Sequence, residues 1–138
     1  MIGVVIAAHG SLSTSLMEST SMILGDMEQV KTVSLIIGDS LEGLIDRVRD
    51  AVTEVNTGQG VVIFLDLFGG TPSNASALIT QEMDNVFAVT GVNFPMLAEV
   101  FTMRPGVDSP QGLVDIAISA GKNSILDLVK KFNEFNQK

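Results

Sequence analysis

The chain has 138 residues, 46% of them apolar and 17% charged, which suits one folded domain with a real core and excludes disorder. Its 16 acidic and 8 basic residues leave a formal charge of −8, which argues against nucleic acid and anionic lipid as partners and favours a basic protein. Cysteine is absent, so disulfides, thiolate chemistry and cysteine-based zinc sites are excluded, in keeping with a cytoplasmic setting.

Apolar runs that read as buried strands alternate with helical patterns. Gly3–Ala8 is short and lacks a basic leader, so it reads as a first strand and not as a signal peptide. Leu12, Leu16 and Ile23 follow near helical spacing, with Ser13, Thr14 and Ser15 as candidate caps and Gly25-Asp26 as the stop. Val30–Ile37 alternates like an edge strand, and Gly38-Asp39-Ser40 then makes a turn with a ready N-cap. Leu41, Leu44, Ile45, Val48, Val52 and Val55 fall on one face of a helix closed by Gly58 and Gly60. Val61–Leu65 is a continuous apolar run of the kind found in central parallel strands.

Pro72 sits where the first turn of another helix tolerates proline. Val86–Val89 reads as a fourth strand, and Met96, Leu97, Val100 and Phe101 as a short helix. Arg104–Gln111 reads as a Pro/Gly/Asp loop. Leu113, Ile116 and Ala117 begin a helical stretch that Gly121 is expected to interrupt, and Ile125–Phe135 again has helical spacing. No run approaches the length of a spanning helix, so work at a membrane would require recruitment by a partner. The βαβα order predicts a single α/β domain over residues 1–138, doubly wound, with a mainly parallel open sheet of order 2-1-3-4 and helices on both faces.

In that fold the ends of strands one and three are neighbours at the topological switch point, where ligands bind. His9, the one histidine, ends strand one, and Asp66 ends strand three. A carboxylate beside an imidazole fixes the tautomer and leaves the other ring nitrogen free as a nucleophile. After Asp66 the chain runs Leu67-Phe68-Gly69-Gly70-Thr71-Pro72-Ser73-Asn74. The glycines Gly69 and Gly70 let backbone amides approach an anion, Thr71 and Ser73 offer hydroxyls, and a helix N-terminus follows. Taken singly, each feature has a plainer structural role. A lone histidine is more often simply hydrogen-bonded, and a Gly-Gly-Thr-Pro turn more often only connects strand to helix. Their convergence on one crevice favours a phosphohistidine site. One histidine and dispersed carboxylates give no metal cluster, and no cofactor is expected.

Three blocks resemble a known family: Ile6-Ala7-Ala8-His9-Gly10, Phe64 through Asn74, and Thr90-Gly91-Val92-Asn93-Phe94-Pro95-Met96-Leu97. They look like the mannose-type enzyme IIA domain of the bacterial phosphoenolpyruvate-dependent sugar phosphotransferase system. The resemblance implies that His9 is phosphorylated, that Asp66 orients it, and that the Gly69-Gly70-Thr71 turn surrounds the phosphoryl group. It implies a histidine-containing phosphocarrier protein as donor, a IIB component as acceptor, and indirectly the membrane-embedded IIC and IID subunits. Some relatives carry IIB fused through a linker; here a separate IIB protein is expected. Members are commonly homodimers that exchange a C-terminal strand, whereas the helical spacing of residues 123–135 speaks against such a strand. Two other readings stay open: the phosphotransferase subunit of a dihydroxyacetone kinase, and a regulatory module switched by phosphorylation.

Overall fold

A computed structural model describes residues 1–137. Strands β1 (Gly3–His9), β2 (Val30–Leu35), β3 (Val61–Leu65) and β4 (Val86–Thr90) pair in the order β2-β1-β3-β4, and every pairing is parallel. Parallel neighbours need a crossover, which α1 (Leu12–Leu24), α2 (Leu41–Val55) and α3 (Gly70–Glu82) supply. The chain continues after β4 with α4 (Phe94–Met103), α5 (Pro110–Asn123) and α6 (Leu128–Asn136). The doubly wound sheet is the architecture expected from the sequence.

Alternation along the strands divides the core into two layers. Val5, Ala7, Ile63 and Leu65 face α2 and α3, meeting Leu44, Val48, Ala75 and Ile79. Val4, Ile6, Val62 and Phe64 face the other side, where Leu97 and Val100 of α4 pack with Leu113 and Ala117 of α5. Both faces of β1 and β3 are therefore covered, which is why these strands read as unbroken apolar runs.

Several expectations need correction. β2 ends at Leu35, so Ile36 and Ile37 are not in the sheet; both are exposed, in a turn closed by Asp39, whose Oδ2 accepts from the Ile36 N–H at 2.8 Å. Ser13, Thr14 and Ser15 do not cap α1, because the N-cap residue is Ser11; Ser13 is fully buried, with its hydroxyl 3.1 Å from that of Ser34. The segment Arg104–Gln111 is not all loop. It opens with a 3-10 turn at Arg104–Gly106, and Pro110 begins α5, which suits a residue lacking an N–H. Nor does Gly121 interrupt α5. It is buried, and a Cβ there would come within 2.7 Å of Met96 Cε, so its bare Cα is what lets α5 approach α4. The C-terminal helix does form, but only from Leu128, and no residue of α6 is buried.

Arg104 is the least foreseen element of the core. It is 3% exposed, stacks 5.0 Å from the Phe101 ring centroid, and donates to the carbonyls of Ile2 (3.2 Å), Gln29 (3.3 Å) and Glu28 (2.6 Å). Those carbonyls lie just ahead of β1 and β2, so one guanidinium ties together the amino ends of two adjacent strands. Replacing Arg104 with alanine strands buried acceptors and should cost about 3 kcal/mol of stability. Urea unfolding checks this; an unchanged midpoint would remove the clamp from the account.

Candidate active site

The parallel register sets Ala7 opposite Leu65, so the residues that follow, Ala8-His9 and Asp66, meet at the carboxyl edge of the sheet. The His9 backbone N–H donates to Asp66 Oδ2 at 3.0 Å, and His9 Nδ1 lies 2.8 Å from the same oxygen. Asp66 Oδ1 accepts from the Leu67 N–H at 3.0 Å. Both carboxylate oxygens are thus held. The Asp66 side chain is 11% exposed, whereas that of His9 is 45% exposed and reaches solvent.

Burial alone would push the Asp66 carboxyl up. The hydrogen bond from the His9 backbone amide, the bond to the ring and the attraction of the ring outweigh it, and Asp66 titrates below its ordinary value of 3.8. Near neutral pH Asp66 is therefore ionised and can only accept. In the neutral ring this makes Nδ1 the N–H and leaves the lone pair on Nε2.

The helix after β3 begins against that ring. Gly69 and Gly70 have φ of +84° and +77°, a left-handed stretch that glycine alone adopts without strain. A Cβ added to Gly70 would lie 3.7 Å from His9 Cε1 and 3.9 Å from Nε2, so the backbone of the first turn of α3 abuts the free edge of the ring. Two helices start at this edge, α1 just after His9-Gly10 and α3 at Gly70, and neither has a side-chain cap. The other α-helices, α2, α4, α5 and α6, are capped by Ser40, Asn93, Ser109 and Asp127. The uncapped amides and the positive ends of both helix dipoles are what an anion at this edge would use.

An open cleft of about 690 Å³ lies beside the ring, bounded by His9, Gly10, Leu35, Ile36, Ile37, Asp39 and Thr71. The structure thus brings His9, Asp66, Gly70 and Thr71 together and sets Gly69 at the cap position of α3. Ser73, the fourth residue of α3, is half-buried and does not line the cleft. Sequence reasoning missed the start of α1 as a second source of free amides, for which Gly10-Ser11 was the available signal. It also missed the Ile36–Asp39 wall, which the Gly38-Asp39 turn foreshadowed. Among the described residues, no group of three or more metal-binding side chains is gathered. No helix among them is long and apolar enough to cross a membrane.

Residues 3–117 match a family model described as "PTS system fructose IIA component". The chain belongs to the mannose-type enzyme IIA family. Its likeness to the PTS system mannose-specific EIIAB component of Escherichia coli K12 is 31% identity over 130 residues, 94% of this chain and 40% of that protein. The chain therefore spans well under half the length of that relative. With the fructose-specific EIIA component of Bacillus subtilis, identity is 34% over 104 residues, 75% of this chain and 71% of that one. The crystal structure of the phosphotransferase system component EIIA from Streptococcus agalactiae superposes with a TM-score of 0.87 at 27% identity, covering 94% of this chain and 99% of the other. This enzyme IIA family member accordingly has the α/β fold of that structure.

Proposed function

We propose that the protein is a phosphoryl carrier that accepts phosphate on His9 Nε2 from a histidine-containing phosphocarrier protein and passes it to a IIB component during sugar uptake. The observation that carries this reading is the 2.8 Å contact of His9 Nδ1 with Asp66, which leaves Nε2 as the nucleophile beside the uncapped start of α3.

In the transfer, the Nε2 lone pair forms the new N–P bond as the N–P bond of the donor breaks, and the donor ring keeps that electron pair. Nδ1 keeps its proton throughout, and Asp66 offsets the positive charge the ring gains. Little covalent chemistry falls to the protein, so catalysis is positioning plus stabilisation of the phosphoryl oxygens. The free amides at Gly70 and Thr71 and the Thr71 hydroxyl receive those oxygens; Ser73 acts through its place in the first turn of α3. The reverse step, with the acceptor taking the donor's place, empties the site. The formal charge of −8 steers a basic carrier toward the molecule.

The test is to incubate the protein with labelled phosphoenolpyruvate, the first enzyme of the phosphotransferase system and the phosphocarrier protein, then map the label. Label on His9 that moves to an added IIB protein is the expected result. Label on another residue, or none, overturns the reading.

We further propose that the 1–138 unit acts as one IIA domain, cytoplasmic and brought to the membrane-embedded IIC and IID subunits through IIB, and that it works as a homodimer. The dimer is supported by α6: a nine-residue helix with no buried residue is too short to persist alone in water. Sedimentation at twice the 14.6 kDa of the chain is expected, and a monomer mass would discard this part.

A further inference from the structure

The wall of the cleft beside His9 holds a charge that the transfer chemistry does not use. Asp39 is the one carboxylate among the described residues that line it. Its Oδ2 accepts from the Ile36 N–H at 2.8 Å, and the carbonyl just before that amide, Leu35, accepts from the Gly10 N–H at 2.7 Å. One peptide unit links those two bonds, so Asp39 Oδ2 stands within about 8 Å of the nitrogen that follows His9.

That carboxylate has a fixed counter-charge. Arg47, on α2, donates through Nη2 to Asp39 Oδ2 at 2.6 Å and through Nη1 to the Ser34 carbonyl at 2.8 Å. Ser34 belongs to β2, so the guanidinium is held on Asp39 by an anchor in the sheet, and Arg47 is not itself part of the cleft wall. The two side chains are 21% and 44% exposed, and an ion pair in contact with water contributes little to stability. What the pair changes is the field in the cleft, where the charge of Asp39 is largely cancelled.

A phosphoryl group on His9 adds about two negative charges near neutral pH. A bare carboxylate within a Debye length, about 8 Å at physiological salt, destabilises that state and leaves the neutral ring almost unaffected. A carrier must both take and release its phosphate, so the stability of the phosphorylated state decides how well it serves a relay. We propose that Asp39 and Arg47 together set the phosphoryl-transfer potential of His9: Asp39 opposes the phosphorylated state, and Arg47 cancels most of that opposition. This rests on the reading of His9 as a phosphoryl acceptor. Both residues act through the field, not by contact with the phosphoryl group.

The experiment measures the equilibrium of phosphate between the phosphocarrier protein and this one, by phosphorus NMR of the mixture. An equilibrium constant compares free species, so any effect of a variant on docking cancels. Arg47→Met should shift the constant toward the phosphocarrier protein by about threefold or more, the size of one charge acting on a phosphoryl group across roughly 8 Å of wet protein. Arg47→Gln, which keeps a donor for Asp39 without the charge, should do the same. Asp39→Asn should shift the constant the other way by a similar factor, since asparagine still accepts the Ile36 N–H and the charge of Arg47 is left uncancelled. The double variant Asp39→Asn/Arg47→Met has the net charge of the original pair and should return close to the wild-type constant. Every shift should shrink near 1 M salt, where the Debye length is about 3 Å. Thermal unfolding of each variant confirms that it is folded. Single variants that leave the constant unchanged, or that move it in the same direction, overturn the proposal. So does a double variant no nearer to wild type than Arg47→Met, which would make Arg47 a direct partner of the phosphoryl group. Failure of the unaltered protein to take phosphate on His9 from the phosphocarrier protein or from phosphoramidate would instead overturn the reading of His9 itself.

Discussion

Replacing His9 with alanine should abolish phosphoryl acceptance while leaving the protein folded. The chain has no second histidine and no cysteine, so no other imidazole or thiolate stands ready to take over the nucleophilic step. The side chain is 45% exposed and packs chiefly against the carboxylate and the glycine backbone, so its loss should change stability by less than about 1 kcal/mol. Asp66 keeps hydrogen bonds from the backbone amides of His9 and Leu67 in the variant and is not orphaned. The measurement is label from phosphoenolpyruvate in the presence of the general phosphotransferase components, beside a thermal unfolding curve. Residual labelling at the unaltered level would sink the carrier assignment; collapse of the unfolding transition would show that His9 holds the fold.

Asp66→Asn should slow transfer about a hundredfold, the lower part of the range for a lost proton-positioning group. The geometry says why the amide is a poor substitute. Oδ2 accepts two donors, the His9 backbone N–H and ring Nδ1, and Oδ1 accepts a third from Leu67. An asparagine has one oxygen, so in either orientation its NH₂ confronts a backbone N–H. If it turns toward His9 it also asks Nδ1 to accept, which moves the ring proton to Nε2 and removes the nucleophile. The charge that offsets the phosphorylated ring is lost as well. Rapid-quench transfer kinetics at several pH values give a second check. Asp66 titrates below 3.8 in the folded protein, so its contribution to stability is complete above that value and fades only as pH falls through the lower, native one. Between pH 5 and 7 it stays ionised, so the variant's profile should run parallel to the wild-type one. A slowdown confined to one end of that range would contradict this role for Asp66.

Much of this architecture was legible because its signals are local or periodic. β1 and β3 read as strands because both their faces are covered, and α2 because its apolar positions repeat on one side. The pairing of His9 with Asp66 followed from strand order alone, since the register that sets Ala7 opposite Leu65 leaves little freedom to the next residues. The misses share a cause: residue type signals burial only on average. Ile36 and Ile37 look like the end of an edge strand but lie beyond it and stand in water; Arg104 looks like loop surface and is buried under three carbonyls. Gly121 looks like a helix stop, but its partner in the close approach is Met96 on another helix, a contact no local pattern encodes. For α6 the helical period was visible; that none of its residues is buried among the described residues was not.

The Arg104 clamp lies at the amino ends of β1 and β2, while His9 closes β1 at its carboxyl end and the cleft beside it is walled by residues past the carboxyl ends of β2 and β3. Tolerance to substitution along these strands should therefore be polarised. Changes near the clamp register in how much protein survives, and changes at the far rim register in which proteins it serves. Lineages of such a molecule have room to exchange partners by rewriting the rim, because the bonds that hold the strands together are anchored at the other end.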